Sequence, residues 1–341
     1  MAKKNVTFDD IAKYTNFSKT TISRYFNNPD SLTLENQQII ADALEVLNYK
    51  ENKVARILAN GKTEFVGIII PNLYMHYHAH MLNEILCSYE KYGYKFLVFV
   101  GNENKQIEQQ YIQELLAYKI EGLIVLSHTI SSEELASYNL PVVTIEREDQ
   151  YTCSVNTDNY MGAVQATSLL YKNNCDVLIH INAHVSKKTP GYQRIQGFLD
   201  ICREHAQEHE LIQLDFGKTH KETVNQLTHI LNQLENKYPH KKKGIFMSND
   251  THANIFLNLI MRKYGCLPDD YRIIGFDDSP IASEAIIPIS TVGQQIEKIA
   301  DQAMELLVMQ MNERKKRKPV PLDKPIHQVV TPVLVRRETT D

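Results

Sequence analysis

The chain has 341 residues, of which 43% are hydrophobic and 23% charged, and its formal net charge is −4. This length exceeds that of one ordinary domain and predicts two or three compact units. Every apolar run is shorter than the roughly 20 residues that a membrane span needs, and polar residues follow Met1 where a secretory signal would be apolar. We therefore expect a cytoplasmic protein that does not associate with a membrane.

The cysteines and the distribution of charge indicate which kinds of site the chain can contain. The five cysteines include no C-x-x-C pair, and their odd number favours reduced thiols over a disulfide framework or a zinc site. Residues 1–62 carry 9 Lys/Arg against 7 Asp/Glu, whereas the remaining residues carry 28 against 34. Because basic residues are what attract nucleic acid, any such contact is expected in the N-terminal segment.

The first 50 residues predict three or four short helices and no strand. Thr7 and Asp10 have the spacing of a capping box, so a helix is expected to begin there. Helical spacing would then turn Ile11 and Tyr14 towards the interior.

Two further helix starts follow. Ser18 can cap a helix over residues 19–26, and Thr33 can cap a third helix. The three residues 15–17 before Ser18 have the length of the turn in a helix-turn-helix unit. These elements predict a small three-helix domain.

The remainder of the chain has a different pattern. Residues 51–62 form a short polar joint with room for one or two helical turns. From residue 64 onward, short apolar runs alternate with amphipathic helices, which is typical of parallel sheets covered by helices. The runs are Phe65–Ile70, Phe96–Val100, Gly122–Leu126, Val142–Ile145, Val177–Ile181, Leu211–Leu214, Gly244–Met247 and Arg272–Phe276. Their number favours two Rossmann-like lobes with a ligand crevice between the carboxyl ends of their strands.

Motifs along nearly the whole chain resemble those of the LacI/GalR family of transcription regulators. Thr7–Asn27, Ala43–Tyr49 and Asn52–Leu58 resemble the family's DNA-binding headpiece and hinge in order and spacing. Matches in the remaining chain are Val66–Pro71, Glu121–Ile124, Pro141–Val143, Asp158–Asn159 with Gly162, Arg194 with Gly197–Phe198, Ser248–Asp250, Ile274–Asp278 and Pro288–Val292.

The resemblance implies a helix-turn-helix headpiece followed by a periplasmic-binding-protein-like core of two Rossmann-like parallel-sheet lobes. The expected boundaries are a headpiece over residues 1–50, a hinge helix or linker over 51–62 and an effector-binding and dimerisation core over 63–341. Within the core, the expected N-lobe covers about 63–161 and 292–322, and the expected C-lobe covers about 162–291 and 323–341.

The same resemblance assigns the DNA contacts. Lys19, Thr20 and Arg24 would read base edges from the start of the recognition helix, since Lys and Arg donate to guanine and Thr can contact thymine. Residues expected to hold phosphates, which fix the register without reading sequence, are Thr7, Ser18, Thr21, Asn27 and Thr33. The alternative is that Ser18 is only a helix cap and that Lys19 and Arg24 are merely solvated.

In the hinge, Ala55 and Leu58 match the positions that enter the minor groove, where a leucine from each subunit would wedge between base steps. The alternative is that Leu58 packs against the core. Two departures from the family pattern occur. Glu51 stands where proline is usual, and Asn36-Gln37 replaces a common Thr-Arg pair, which removes a possible phosphate contact.

The resemblance also places effector-binding groups at strand ends. Carboxylates, amides and a guanidinium there suit a ligand with many hydroxyls, such as a sugar or sugar phosphate. The matched residues are Asn72, Glu146, Arg194, Asn249 and Asp277. An ion pair between the lobes is the structural alternative for Arg194 and Asp277, and Asn72 and Glu146 can equally serve the fold.

A run of three histidines invites a metal assignment. His76, His78 and His80 would share a face only in a strand, but this segment precedes a helix, so no metal site is expected. We instead expect His76 and Tyr77 at the rim of the crevice. Lys187-Lys188 can receive a phosphate or can lie in a solvated loop.

These features predict a repressor of a carbohydrate-utilisation operon, bound as a homodimer to an inverted-repeat operator in double-stranded DNA and controlled by a sugar or sugar phosphate. The last strand, expected at Val329–Arg336, leaves no room for a tetramerising heptad tail. No dinucleotide, P-loop or nucleophile-elbow motif occurs, so we expect neither an enzyme nor a cofactor. The alternatives are a sugar-binding protein without a regulatory role and a regulator that responds to a non-sugar ligand such as a nucleobase.

Overall fold

The computed structural model describes residues 6–50, 63–147, 150–187, 189–217 and 219–341. The chain divides into two units, Met1–Lys62 and Thr63–Asp341. The expected hinge, including Ala55 and Leu58, lies outside the described residues. No helix among the residues described is both long enough and apolar enough to cross a membrane.

In the part of the first unit that the structure describes, residues 6–50, the helices form a cluster of three. Its helices are α1 (Phe8–Thr15), α2 (Lys19–Asn27) and α3 (Leu34–Val46), with a 3-10 turn at Pro29–Ser31. They pack around an apolar centre whose fully buried members are Ile11, Ile22, Ile40 and Ala43.

Each helix of this unit begins at a side-chain cap that the sequence predicts. The Asp10 carboxylate accepts hydrogen bonds from the backbone N–H and hydroxyl of Thr7 at 2.9 and 2.7 Å. The hydroxyls of Ser18 and Thr33 accept from the backbone N–H groups three residues later, those of Thr21 and Asn36, at 3.1 and 3.3 Å. These bonds satisfy N–H groups that have no partner inside a helix.

Two expectations for this unit were wrong in detail. Tyr14 is 54% exposed, because Ile11 alone of the two points to the centre of so short a helix. The turn before α2 consists of residues 16–18, since α1 extends to Thr15 and ends at Asn16 in the left-handed conformation (φ 57°). Asparagine tolerates that conformation better than most residues.

The described residues of the second unit form twelve strands: β1 (Phe65–Ile70), β2 (Lys95–Val100), β3 (Gly122–Val125), β4 (Val142–Ile145), β5 (Cys153–Thr157), β6 (Val177–Ala183), β7 (His209–Leu214), β8 (Lys243–Met247), β9 (Tyr271–Asp277), β10 (Ser290–Gly293), β11 (His327–Val330) and β12 (Val333–Val335). Its helices are α4 (His76–Cys87), α5 (Tyr89–Tyr92), α6 (Lys105–Ala117), α7 (Ser132–Ser137), α8 (Asn159–Lys172), α9 (Tyr192–Glu204), α10 (His220–Lys237), α11 (Asp250–Tyr264), α12 (Pro280–Glu284) and α13 (Ile296–Arg314). A 3-10 turn follows at Glu338–Thr340.

The strands form two six-stranded sheets. The first has the order β11-β5-β4-β3-β1-β2 and is parallel throughout. The second has the order β12-β10-β9-β8-β6-β7, in which only β12 runs antiparallel. The two Rossmann-like lobes that the alternating pattern predicts are therefore present.

The last passage of the chain between the lobes lies later than expected. β10 lies in the second sheet, whereas α13 packs into the core of the first lobe. Residues 323–341 were assigned to the C-lobe, but β11 pairs in parallel with β5 in the first sheet, and only β12 joins the second. The expected single strand at Val329–Arg336 is thus two short strands, because each sheet takes one of them at an edge.

Three connections consequently join the lobes, between β5 and α8, between β10 and α13, and between β11 and β12. Because the strands are parallel, the loops at their carboxyl ends share one edge of each sheet. The candidate residues Asn72, Glu146 and Asp277 lie at such ends, those of β1, β4 and β9.

Candidate functional site

The start of α2 presents polar side chains to solvent. Lys19, Thr20 and Arg24 are all exposed. The Lys19 ammonium is 2.6 Å from the Asp9 carboxylate, an exposed pair of small energetic value. Helix α2 therefore offers two cations and a hydroxyl on an accessible surface, which is the chemistry that base edges accept.

The expected phosphate-binding residues all have local partners as well. The Ser18 hydroxyl both caps α2 and lies 2.9 Å from the Thr21 hydroxyl. The Asn27 amide donates to the Ser23 carbonyl at 2.9 Å. Ser18 therefore does cap α2, as the alternative interpretation expects. Because its hydroxyl accepts a hydrogen bond in this role, the hydroxyl proton can still be donated to a phosphate.

Gln37, one of the departures from the family pattern, has a structural role. Its amide donates to the carbonyls of Pro29 and Leu32 at 2.9 and 3.2 Å. This side chain therefore joins α3 to the 3-10 turn at Pro29–Ser31.

A hydrogen-bond chain joins two of the candidate effector residues in the second unit. The Glu146 carboxylate accepts from the Thr157 backbone N–H at 2.5 Å and from the Asn159 amide at 2.8 Å. The Asn159 carbonyl oxygen in turn accepts from Nε of Arg194 at 2.6 Å. Since Glu146 follows β4 and Arg194 lies in α9, this chain runs from the first lobe to the second.

A second chain of the same kind reaches Asp277. The Gln294 amide donates to Asp277 Oδ1 at 2.6 Å, and its carbonyl oxygen accepts from the Thr157 hydroxyl at 2.6 Å. Gln294 and Asn159 are 1% and 0% exposed, so both amides are fully enclosed. Sequence reasoning missed them because a buried amide has no distinctive spacing, although Asn159 lies within a matched motif.

Arg194 is held by neutral partners. Its Nη1 donates to the Ser248 carbonyl at 2.6 Å, and the guanidinium carbon lies 3.7 Å from the centre of the Phe276 ring. Asp277 accepts from the Gln294 amide, so the carboxylate and the guanidinium are each held by a neutral partner. The guanidinium is oriented by the stacking contact and the carbonyl.

The loop that carries Asp277 has strained backbone angles and is held in place by hydrogen bonds. Asp277 and Asp278 have φ of 116° and 54°, in the region that favours glycine. Asp250 holds this loop, because its carboxylate accepts from the Ser279 backbone N–H at 2.9 Å and from the Thr291 hydroxyl at 2.6 Å. Burial raises the pKa of both Asp250 and Asp277.

Two candidate residues lie in separate clusters. Asn249 caps α11, where its Oδ1 accepts from the His252 backbone N–H at 2.8 Å and its amide contacts the His252 ring. Asn72 accepts from the Met75 backbone N–H at 3.1 Å and donates to Glu103. The network thus joins Glu146, Arg194 and Asp277, and it does not include these two asparagines.

His76, the first residue of the histidine run, and the nearby Tyr74 make contacts between the lobes. The His76 ring lies 3.0 Å from the Thr251 hydroxyl, and the neighbouring Tyr74 hydroxyl lies 3.2 Å from the His220 ring. Within the described ranges, no three His, Cys, Asp or Glu side chains are grouped so that they could hold a metal ion.

Four other histidines are held neutral. Burial lowers the pKa of each to about 4. His78 and His128 belong to the first lobe, and His180 and His252 belong to the second. At neutral pH they offer one ring N–H and one ring acceptor each, without charge.

A cavity of about 730 Å³ lies beside the connections between the lobes. Its lining is mostly polar and comes from both lobes, including Gln150, Lys187, Tyr192, Gln193 and His327. Lys187, for which both a phosphate contact and a solvated loop were considered, lies at this cavity.

Comparison with known proteins shows the family of this chain. The family model described as a periplasmic binding protein-like domain matches residues 168–340, just over half of the chain. The chain belongs to this family, as a regulator of the LacI/GalR type. The resemblance that the headpiece and core motifs indicate is therefore confirmed.

The individual relatives of this LacI/GalR-type chain agree with the family assignment. The ribose operon repressor of Halalkalibacterium halodurans is 25% identical over 334 residues, which cover 98% of this chain and 97% of that protein. The Lac repressor dimer bound to operator and the anti-inducer ONPF has the same fold, with a TM-score of 0.80 and 19% identity over 99% of both chains. A LacI transcriptional regulator from Alkaliphilus metalliredigens QYMF, complexed with D-xylulofuranose, has a TM-score of 0.69 and 25% identity, covering 82% of this chain and 99% of that one.

Proposed function

We propose that this chain represses a carbohydrate-utilisation operon and that a sugar bound between the two lobes sets its affinity for the operator. The network that joins Glu146, Arg194 and Asp277 through two buried amides carries the proposal. The network brings hydrogen-bond donors and acceptors from both lobes together between the lobes. A ligand with several hydroxyls requires such a set of groups. The relative named a ribose operon repressor supports a sugar effector.

The DNA-binding part of the proposal rests on α2. Lys19, Thr20 and Arg24 are the base-reading residues, and the polar groups of Thr7, Ser18, Thr21, Asn27 and Thr33 hold phosphates. The hinge residues Ala55 and Leu58 enter the minor groove at the operator centre. A homodimer would present two copies of α2 and would therefore select an inverted repeat.

The experiment is selection from random double-stranded DNA with the full chain, followed by titration of the selected site. We expect an inverted repeat bound by two copies of the chain, and release or tightening when the correct sugar is added. A chain that selects no sequence would contradict the repressor proposal, and a selected site that ignores every sugar would contradict the effector.

Arg24→Ala tests the base-reading assignment. A guanidinium that donates to guanine carries sequence information, so its loss should cost about 1–3 kcal/mol on the selected site. Binding to random DNA, the internal control, should change little. Equal losses on both DNAs, measured by fluorescence anisotropy at one salt concentration, would make Arg24 a phosphate contact.

A further inference from the structure

The residues that follow β12 are attached to the second sheet through buried hydroxyl groups. The backbone N–H of Arg337 donates to the Ser290 hydroxyl at 2.7 Å. The Thr339 hydroxyl accepts from the Ser290 backbone N–H at 2.9 Å and donates to the Ile273 carbonyl at 2.7 Å. Ser290 and Thr339 are both fully buried. The backbone of Arg337 is therefore fixed against β9 and β10, and its side chain extends from a defined position.

The Arg337 guanidinium joins the two ends of one loop segment. Its Nη2 donates to Oδ1 of Asp278 at 2.6 Å, and its Nη1 donates to the Ile289 carbonyl at 3.0 Å. Asp278 follows β9 and Ile289 precedes β10, so the segment between them contains α12 and connects the two strands. The Arg337 and Asp278 side chains are 19% and 34% exposed, and solvent therefore screens this ion pair less than a surface pair.

Asp278 needs such a restraint because its backbone is strained. It has φ of 54°, and Asp277 before it has φ of 116°, both in the region that favours glycine. Strained backbone persists only where neighbouring groups fix it. Asp250 holds the backbone that follows Asp278, whereas Arg337 holds the Asp278 side chain itself. Without this partner Asp278 can turn towards negative φ, and the rotation moves the Asp277 carboxylate.

We propose that Arg337 is a positioning residue of the candidate effector site. Through Asp278 it keeps the Asp277 carboxylate in the orientation that accepts a hydrogen bond from a ligand hydroxyl. Arg337 thus affects the affinity for the effector although its Nη1 and Nη2 both donate to the loop segment. The inference rests on the proposed sugar effector and adds a residue that lies outside the hydrogen-bond network between the lobes.

Sugar affinity and fold stability together separate a positioning role from a merely stabilising one. A pair that only stabilises the fold would lower the urea midpoint without changing the sugar affinity of the folded chain. The probes are D-ribose, D-xylulose and sucrose, each titrated by calorimetry into the full chain. The test variant is Arg337→Met, which keeps an unbranched side chain and removes both donors. The matched control is Arg336→Met, since the neighbouring Arg336 pairs with Asp341 at 3.4 Å where both side chains are exposed.

We expect Arg337→Met to bind the sugar that the natural chain binds about 10-fold more weakly or worse. Its affinity for the selected DNA site without sugar should stay within about twofold of the natural value, because the proposed DNA contacts belong to the headpiece and the hinge. Arg336→Met should match the natural chain in both measurements. If Arg337→Met does not fold, Arg337→Lys replaces it, since an ammonium keeps the charge but lacks the planar fork of two donors. That variant should also bind the sugar more weakly than the natural chain.

A double variant tests whether Arg337 acts through Asp278. Asp278→Gly removes the carboxylate, and glycine adopts φ of 54° without strain. In this background Arg337→Met should cause no further loss of sugar affinity, because the contact that it removes is already absent. Additive losses would show that Arg337 acts by another route and would overturn the inference.

The remaining outcomes separate this inference from the proposed function. Natural sugar affinity in the folded Arg337 variant, or an equal loss in Arg336→Met, overturns the positioning role and leaves the sugar-controlled repressor standing. A natural chain that binds its DNA site and none of the three sugars overturns the sugar effector itself, and the inference falls with it.

Discussion

His180 illustrates how one residue in the core of the second lobe makes stability depend on pH. It is fully buried, its Nδ1 lies 2.9 Å from the Phe246 carbonyl, and its ring stacks on the Phe246 ring at 4.2 Å. Burial lowers the pKa of His180 to about 4, whereas the unfolded chain has a value of about 6.5. Between these values the unfolded state binds the proton and the folded state does not, so stability falls as the pH falls from 6.5 towards 4.

We expect His180 to cost the natural chain about 2 kcal/mol of stability between pH 7 and pH 5. His180→Phe keeps an aromatic ring for the stack and removes the titration. Urea unfolding of both proteins at the two pH values isolates this contribution, because every other titrating group is common to them. Parallel changes in the two proteins would mean that His180 is charged in the folded state.

At the scale of elements, the contact between β9 and α11 explains why two sequence motifs occur together. A Cβ on Gly275 would lie 2.1 Å from Oδ1 of Asp250, so only glycine lets the strand approach the start of the helix. Asp250 in turn braces the loop that carries Asp277. The Ser248–Asp250 and Ile274–Asp278 motifs are thus two halves of one structural unit.

Gly275→Ala should destabilise the chain by about 1–3 kcal/mol, because Asp250 must leave its place and its hydrogen bonds to Ser279 and Thr291 are lost. Gly191→Ala is the matched control. Gly191 has helical φ and ψ of −59° and −20°, and a Cβ there would meet no atom within 4 Å. Its variant should differ from the natural chain by no more than about 0.5 kcal/mol in urea unfolding. Equal midpoints for the two variants would contradict the bracing role of Asp250.

The elements that the sequence predicts are those whose pattern is local. Every apolar run proposed as a strand forms one, and both caps, Ser18 and Thr33, begin their helices. β5 was missed because its sequence, Cys153–Thr157, is largely polar although all five residues are buried. The sequence does not predict that residues 327–335 are divided between two sheets. The division depends on which edge strand of each sheet has an unpaired side in the folded protein.

Some residues of the candidate site could be predicted from the sequence and others could not. Charged side chains at strand ends can be recognised, and Glu146, Arg194 and Asp277 do come together. The residues that join them, Asn159 and Gln294, are far apart in sequence, and neither spacing nor composition reveals that their amides bridge the lobes.

For the whole molecule, a ligand between the lobes can alter DNA affinity only if it favours one lobe arrangement. The coupling must be reciprocal, so operator DNA should change the affinity for sugar by the same factor as sugar changes the affinity for operator. Because Thr157, Asn159 and Gln294 lie at the connections between lobes, the proposed ligand contacts with Glu146 and Asp277 would act directly on the segments about which the lobes would rotate.

Arg194→Ala should leave operator binding intact and abolish the response to sugar, since the guanidinium positions Asn159 and is a proposed ligand contact. Arg203→Ala, on the same helix, removes only an exposed pair with Asp200 and should respond as the natural chain does. Titration of labelled operator with and without the effective sugar distinguishes them. An Arg194→Ala protein that folds and still responds at natural sugar concentrations would remove Arg194 from the site.

The placement of β11 and β12 also constrains the order in which the chain folds during synthesis. Five strands of the first sheet are complete at Thr157, but β11, at the edge beside β5, emerges about 170 residues later, after α13. At ~5–20 residues per second, translation leaves that edge uncovered for roughly 10 to 30 seconds. A nascent first lobe with β5 exposed is a template for another strand. We therefore expect slowed translation before His327 to increase aggregation of the chain more than slowed translation within the headpiece.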